Sequence, residues 1–252
     1  MTGHTLPDDG GWTLAGAVMG NVQNVLLYGP PGTGKSTFGC RHGAASWYRI
    51  NCHEEMSEVE ILGGMGLDGT TGGTSSVWQD GIGLRAWREG KRLVLDEVDK
   101  ASGAAKSALY AILDDASTAA YTIPSTGETV RPTTGFHTVC TTNTDPADWE
   151  DTELQGLLDR LTVRILIDKP HPDAIAALPE DLRNAATESC RAKDERRASV
   201  RAWRSFANIR HATADEPLAA VAVFGFTRGP EISDALKIAR AGGTVPTWEE
   251  MS

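Results

Sequence analysis

Through the first two thirds of the chain, apolar residues come in short unbroken runs, each closed by glycine or a polar side chain. NVLLYG (24–29), SWYRINC (46–52), RLVLDE (92–97), FHTVCTTN (136–143) and LTVRILID (161–168) are the runs. Their length and aliphatic content predict buried strands. Between them the apolar positions fall three or four apart, the spacing of one helix face. TLAGAVMGNVQ, STFGCRHGA, IGLRAWRE (stopped by Gly90) and AAKSALYAILDDA, where Leu109, Ile112 and Leu113 keep that spacing, are the predicted helices. YTIPSTGETVRP predicts a small hairpin turning at Ser125-Thr126-Gly127. From Lys169 onward the strand pattern ends and Ala/Arg/Glu-rich helical segments take over.

Strands alternating with helices imply an α/β domain on a parallel sheet over residues 1–168, followed by a smaller all-helical unit over 169–252. A chain of 252 residues is long enough to bury such a core. No apolar run reaches the roughly 18 to 20 residues that cross a bilayer, and MTGHTLPDDGGW lacks a secretory layout. The expected compartment is therefore the cytoplasm, with no membrane partner. Cys40, Cys52, Cys140 and Cys190 form no CxxC pair, so reduced, buried thiols are expected. A net charge of −10 argues against a surface that coats itself with nucleic acid.

Two motifs carry chemistry. Gly29-Pro30-Pro31-Gly32-Thr33-Gly34-Lys35-Ser36, with Thr37 behind it, matches GxxxxGK[ST] between a predicted strand and a predicted helix. Glycines let such a loop curl until its N–H groups face a phosphate. Lys35 would reach the β- and γ-phosphates, and Ser36 would ligate Mg²⁺. Sixty-one residues after the lysine, LVLDE ends a buried strand in two acids. Asp96 would orient Mg²⁺ and Glu97 would polarise an attacking water. GLDGTTGGTSSVWQDG (66–81) has the composition of a linker, yet it interrupts this domain.

GPPGTGKS and LVLDEVDKA, with SEVEILGG and WQDGIGLRAWREGKR ahead of the second, resemble the MoxR-like AAA+ ATPases, relatives of CobS, GvpN and the dynein-related ATPases. The resemblance spans most of residues 20–240. It implies a P-loop NTPase core with a parallel sheet flanked by helices and a helical C-terminal lid. It also implies Mg-dependent ATP hydrolysis in a ring, expected to be a hexamer, that remodels or activates a protein partner, often one with a von Willebrand A-type domain. In VCTTNTDP, Asn143 matches sensor 1. In LLDRL, Arg160 matches the arginine finger, with leucine where phenylalanine is usual; the plainer reading is a surface ion pair with Asp159 or Glu153. In GFTRGPEISDALKIAR, Arg228 matches sensor 2, with Pro230 and Gly242 bracketing the helix. The 66–81 run falls where the family carries a helix-2 insert facing the pore, with Trp78 as anchor or client contact.

Alternatives within the class are a nucleic-acid motor or loader, which the acidic charge disfavours, a CobS-like chelatase subunit, and a scaffold that hydrolyses ATP only as a timer. Cys52-His53-Glu54-Glu55 does not complete HExxH, because position 57 is serine, so no protein-held metal beyond nucleotide Mg²⁺ is expected. Arg197, Arg201 and Arg204 share one helical face, either solvated or touching a partner. Trp203 and Phe206 are expected to pack in the lid, and Trp149 suits core or interface equally.

Overall fold

The computed structural model describes residues 8–69, 75–150, 152–192 and 197–241. In chain order the elements are α1 (Trp12–Val18), β1 (Asn24–Tyr28), α2 (Lys35–Arg41), β2 (Trp47–Asn51), α3 (Glu58–Ile61), β3 (Gly63–Asp68) and β4 (Ser75–Asp80). They continue with α4 (Ile82–Glu89), β5 (Arg92–Asp96), α5 (Gly103–Ile112), β6 (Tyr121–Thr122), β7 (Thr129–Val130), β8 (Thr138–Thr141), α6 (Thr152–Leu158) and β9 (Val163–Leu166). Helices α7 (Pro172–Ala176), α8 (Glu180–Arg191), α9 (Val200–Thr213) and α10 (Glu216–Arg240) complete the chain.

Two compact units result. One holds Thr13–Gly29 and Lys35–Leu166; the other holds Pro30–Gly34, the described residues up to Trp12 and those from Ile167 onward. In the first unit the five predicted strands form one parallel sheet in the order β2-β5-β8-β1-β9. Its central strands are apolar on both faces because helices cover both: Val25, Leu26 and Leu27 in β1 and Leu93, Val94 and Leu95 in β5 are all buried.

Arg92, at the start of β5, is only 2% exposed. Its guanidinium caps the C-terminal end of α2, donating through Nη1 to the carbonyls of Gly39 (2.9 Å) and His42 (2.5 Å). Its Nε donates to Nε2 of His137 at 2.6 Å, so the imidazole accepts there and carries its proton on Nδ1, which faces the Gly135 carbonyl at 2.9 Å. Among the described residues no carboxylate pairs with Arg92. A buried cation is thus satisfied by dipoles alone.

The described part of the 66–81 run is not slack chain. Its flanks form an antiparallel hairpin, β3 with β4, registered from Gly63 opposite Asp80 to Asp68 opposite Ser75. Residues 70–74 lie outside the described residues. Trp78 is half-buried, donates from Nε1 to Asp80 (2.8 Å) and faces the Tyr121 ring at 6.4 Å. Composition points to a linker because glycine and threonine dominate, but six positions on each arm of the hairpin are paired. Arg88 of α4 joins this hairpin to the predicted small one, β6 with β7. It donates to Asp80 at 2.5 Å and to both oxygens of Glu128 at 2.5 and 3.0 Å.

In the helical unit Trp203, Phe206 and Phe224 pack ring against ring, and Trp203 Nε1 donates to Ser189 Oγ at 2.6 Å. Asp181 and Glu216 share Arg210 and Arg240 along α8, α9 and α10. Pro230 does not begin a helix, as its ring geometry suggested. The break lies at Gly225 (φ 85°, ψ 171°), inside α10, and Pro230 sits within the following segment. Gly242 lies outside the described residues.

Burial holds the His137 imidazole below its ordinary pKa, and the neighbouring Arg92 charge adds to that; the Gly135 contact opposes it. The folded protein therefore binds fewer protons here than the unfolded chain. Its contribution is complete above about pH 6.5 and is lost as pH falls through the depressed folded value. His137→Gln keeps an acceptor for Arg92 and removes the titration. Urea unfolding at pH 7.5 and 5.5 should show a smaller acid loss in this variant; equal losses in both proteins would refute the assignment.

Candidate active site

The loop after β1 curls through glycines that hold left-handed backbone, among them Gly32 (φ 78°) and Gly34 (φ 113°). Pro30 and Pro31 have no N–H to offer, and Thr33 closes the turn by donating from Oγ1 to the Pro30 carbonyl at 3.2 Å. Among the described residues, nothing accepts from the backbone N–H groups of Gly32, Thr33 or Gly34. Three consecutive uncommitted donors form an anion cradle. Within its own unit this loop meets the helical elements directly. Thr33 O accepts from the His171 N–H at 3.0 Å, and a Cβ on Gly32 would stand 2.5 Å from Cβ of Ser199. Ser199 is the N-cap of α9.

In the α/β unit, Lys35 and Ser36 open α2 at the end of the sheet where β5 and β8 finish. The Lys35 ammonium is buried, donating to Gly29 O at 2.7 Å and to Asn143 Oδ1 at 3.1 Å. Asn143 in turn donates from Nδ2 to Glu97 Oε1 at 3.0 Å, and Lys100 Nζ meets Glu97 Oε2 at 2.6 Å. Glu97 occupies left-handed backbone (φ 54°, ψ 51°) where β5 turns out of the sheet. For a residue with a Cβ that conformation costs roughly 1 to 2 kcal/mol. The Thr141 hydroxyl supports it, accepting from the Glu97 N–H at 3.3 Å.

Asp96 accepts at Oδ1 from Ser36 Oγ (2.5 Å) and from Thr141 Oγ1, and at Oδ2 from the Arg49 guanidinium. Burial pushes this carboxyl up. The hydrogen bonds from Ser36, Thr141 and Arg49, with the Arg49 charge, outweigh burial and hold it below the usual carboxylate range. A hydroxyl that donates to an ionised carboxylate keeps its lone pairs for a cation, and both groups are hard oxygen donors suited to Mg²⁺. Ser36 and Asp96 thus fit the magnesium of a magnesium nucleotide. Among the described residues no group of three or more His, Cys, Asp or Glu side chains could hold a metal.

Of the site residues anticipated above, Lys35, Ser36, Asp96, Glu97 and Asn143 converge. Thr37 follows in α2 and is exposed. Arg160 stands elsewhere. The buried Asn24, at the start of β1, donates to the Arg160 carbonyl at 3.2 Å, whereas the phosphate loop leaves the other end of that strand. Five residues at about 3.3 Å each separate the two levels by roughly 16 Å. Arg160 lies over the Tyr110 ring (5.1 Å to its centroid), donates to Tyr110 O at 3.2 Å and Gly156 O at 3.3 Å, and approaches Asp114 at 3.8 Å. Its acidic neighbour is thus Asp114 rather than Asp159 or Glu153. Arg228 lies in α10, three residues beyond the Gly225 break. Trp149, Trp203 and Phe206 are buried.

Sequence reasoning missed Arg49, Thr141 and Lys100. Lys100, inside LVLDEVDKA, and Thr141, inside VCTTNTDP, had a local signal; Arg49 reaches Asp96 across the parallel pairing of β2 with β5, which sets Asn51 opposite Asp96. It also missed that Ser199 belongs beside the loop glycine Gly32.

A family model for the AAA domain of the dynein-related subfamily matches residues 24–161. The chain is 35% identical to protein NorQ of Paracoccus denitrificans over 131 residues, 50% of this chain and 46% of that protein. It is 35% identical over 124 residues to the denitrification regulatory protein NirQ of Pseudomonas aeruginosa, 47% of this chain and 45% of that protein. It is also 35% identical over 109 residues to midasin of Dictyostelium discoideum, 42% of this chain and 2% of that protein. The chain therefore spans about half the length of NorQ and NirQ.

Gly32 and Gly127 both have positive φ, but a Cβ on Gly127 meets nothing within 4 Å. Gly127→Ala should cost only the backbone strain, roughly 1 to 2 kcal/mol. Gly32→Ala adds the overlap with Ser199 and should lower the melting temperature further. An equal drop for both variants would show that Ser199 does not press on the loop.

Proposed function

The chain belongs to the AAA domains of the dynein-related subfamily and is a MoxR-like AAA+ ATPase, and from that premise we propose that it hydrolyses Mg-ATP between subunits of a ring, expected to be a hexamer, to remodel or activate a protein partner. The observation that carries the chemistry is the Lys35–Asn143–Glu97 chain beside Ser36 and Asp96. The loop N–H groups and Lys35 bind and orient the phosphates. Ser36 and Asp96 would hold Mg²⁺, which would supply charge neutralisation on the phosphates. Glu97 holds the attacking water and takes its proton on a carboxylate oxygen. Asn143 bridges the Lys35 ammonium and that carboxylate, so it fixes the distance between phosphate binder and base.

Arg160 supports assembly. At the far end of β1 from its own loop, it is too distant to neutralise charge on its own nucleotide and suits a neighbour's. From the helical unit, Arg228 is the sensor-2 candidate by sequence. The Ser199–Gly32 contact favours Arg197 or Arg201 for the same task. The partner is a protein, with a von Willebrand A-type domain as first candidate. NirQ's designation as a regulatory protein accords with a chain that acts on another.

Glu97→Gln should lower ATP turnover about 100-fold or more while leaving nucleotide binding intact, and Lys35→Ala should abolish binding; unchanged turnover in Glu97→Gln would disprove the mechanism. Arg160→Ala should be inactive alone. Mixed with Glu97→Gln it should regain activity, because the second protein donates its arginine to the first protein's intact base. No recovery on mixing would place the finger elsewhere.

A further inference from the structure

Arg49 lies on β2, the edge strand of the sheet, and projects to the one carboxylate that the proposed reaction reserves for the metal. Its side chain is 40% exposed and that of Asp96 only 13%. The carboxylate is fully engaged: Oδ1 takes the Ser36 and Thr141 hydroxyls, and Oδ2 takes the guanidinium. The charged groups around this end of the sheet are Lys35, Arg49 and Lys100 against Asp96, Glu97 and Asp99. Without nucleotide these charges balance, and Arg49 occupies the free oxygen of the one carboxylate that would take a cation. The phosphates of a nucleotide would turn the balance negative.

We propose that Arg49 is a positioning residue that neutralises Asp96 in the nucleotide-free protein, so that a divalent cation settles at Ser36 and Asp96 only together with nucleotide. The inference rests on reading those two residues as the metal side of the site. Two features favour a charge role over simple bracing. Asp96 is already oriented at Oδ1 by two hydroxyls, so the third contact adds little direction. The third contact is also the only charged one, and it comes from a solvent-accessible side chain that can move aside without opening the core.

The experiment uses Mn²⁺ as the probe, read by electron paramagnetic resonance of the free ion, with no turnover involved. Nucleotide-free wild-type protein should bind Mn²⁺ weakly. Arg49→Met should bind it about tenfold more tightly, Arg49→Lys should resemble wild type, and Asp96→Asn in the Arg49→Met background should erase the gain. Arg49→Gln serves in place of the Met variant if circular dichroism shows that the latter does not fold. An unchanged Mn²⁺ affinity in the neutral variant, or a gain that survives Asp96→Asn, would overturn the proposal. Calorimetric titration of wild type with ATP and EDTA tests the parent reading separately, since its failure would appear as absent nucleotide binding whatever the metal does.

Discussion

One buried carboxylate organises this protein. Asp96 ends a strand whose other residues are all buried, so its charge must be met within the fold or it would protonate. Three side chains meet it, and each comes from a different element: Ser36 from α2, Thr141 from β8 and Arg49 from β2. Satisfying Asp96 therefore ties the start of α2 and the end of β8 to β5, while Arg49 brings the compensating charge from the edge strand. Glu97 inherits the result. Directly after Asp96 the chain leaves the sheet through left-handed backbone, and the strain is held at Glu97, the residue proposed as the base.

The same sheet separates tasks by its two ends. The C-terminal ends of β5, β8 and β1 collect Asp96, Glu97, Asn143 and Lys35, whereas Asn24 and Thr138 tie the N-terminal ends to the backbone at Arg160. Arg92 belongs to this lower end too, closing α2 from beneath while Lys35 and Ser36 open it from above. A parallel sheet makes such division automatic, since every strand points its exits the same way.

The phosphate loop, the acid pair and the five strands were legible in sequence because each is written in contiguous residues. So was the small hairpin at Ser125-Thr126-Gly127, a strong turn between two β-prone runs. The β3–β4 hairpin was hidden because its pairing is carried by backbone hydrogen bonds, which glycine and serine make without any hydrophobic alternation. Arg49 was hidden for another reason. Its partner lies 47 residues away, and only the register of two parallel strands joins them. Pro230 misled because proline marks helix starts more often than it sits one turn inside them, and the Gly225 break needed φ and ψ to be seen.

The Arg88 cross-tie has a mechanical meaning. One guanidinium grips the base of the β3–β4 hairpin through Asp80 and the β6–β7 turn through Glu128, two segments nearly fifty residues apart in the chain. As exposed ion pairs these bonds add little to stability. Their value is geometric: they tie the two hairpins to one another through a single side chain of α4. That helix is joined by Gly90 and Lys91 directly to the strand that ends in Asp96, so a load on either hairpin has a short covalent route to the carboxylate.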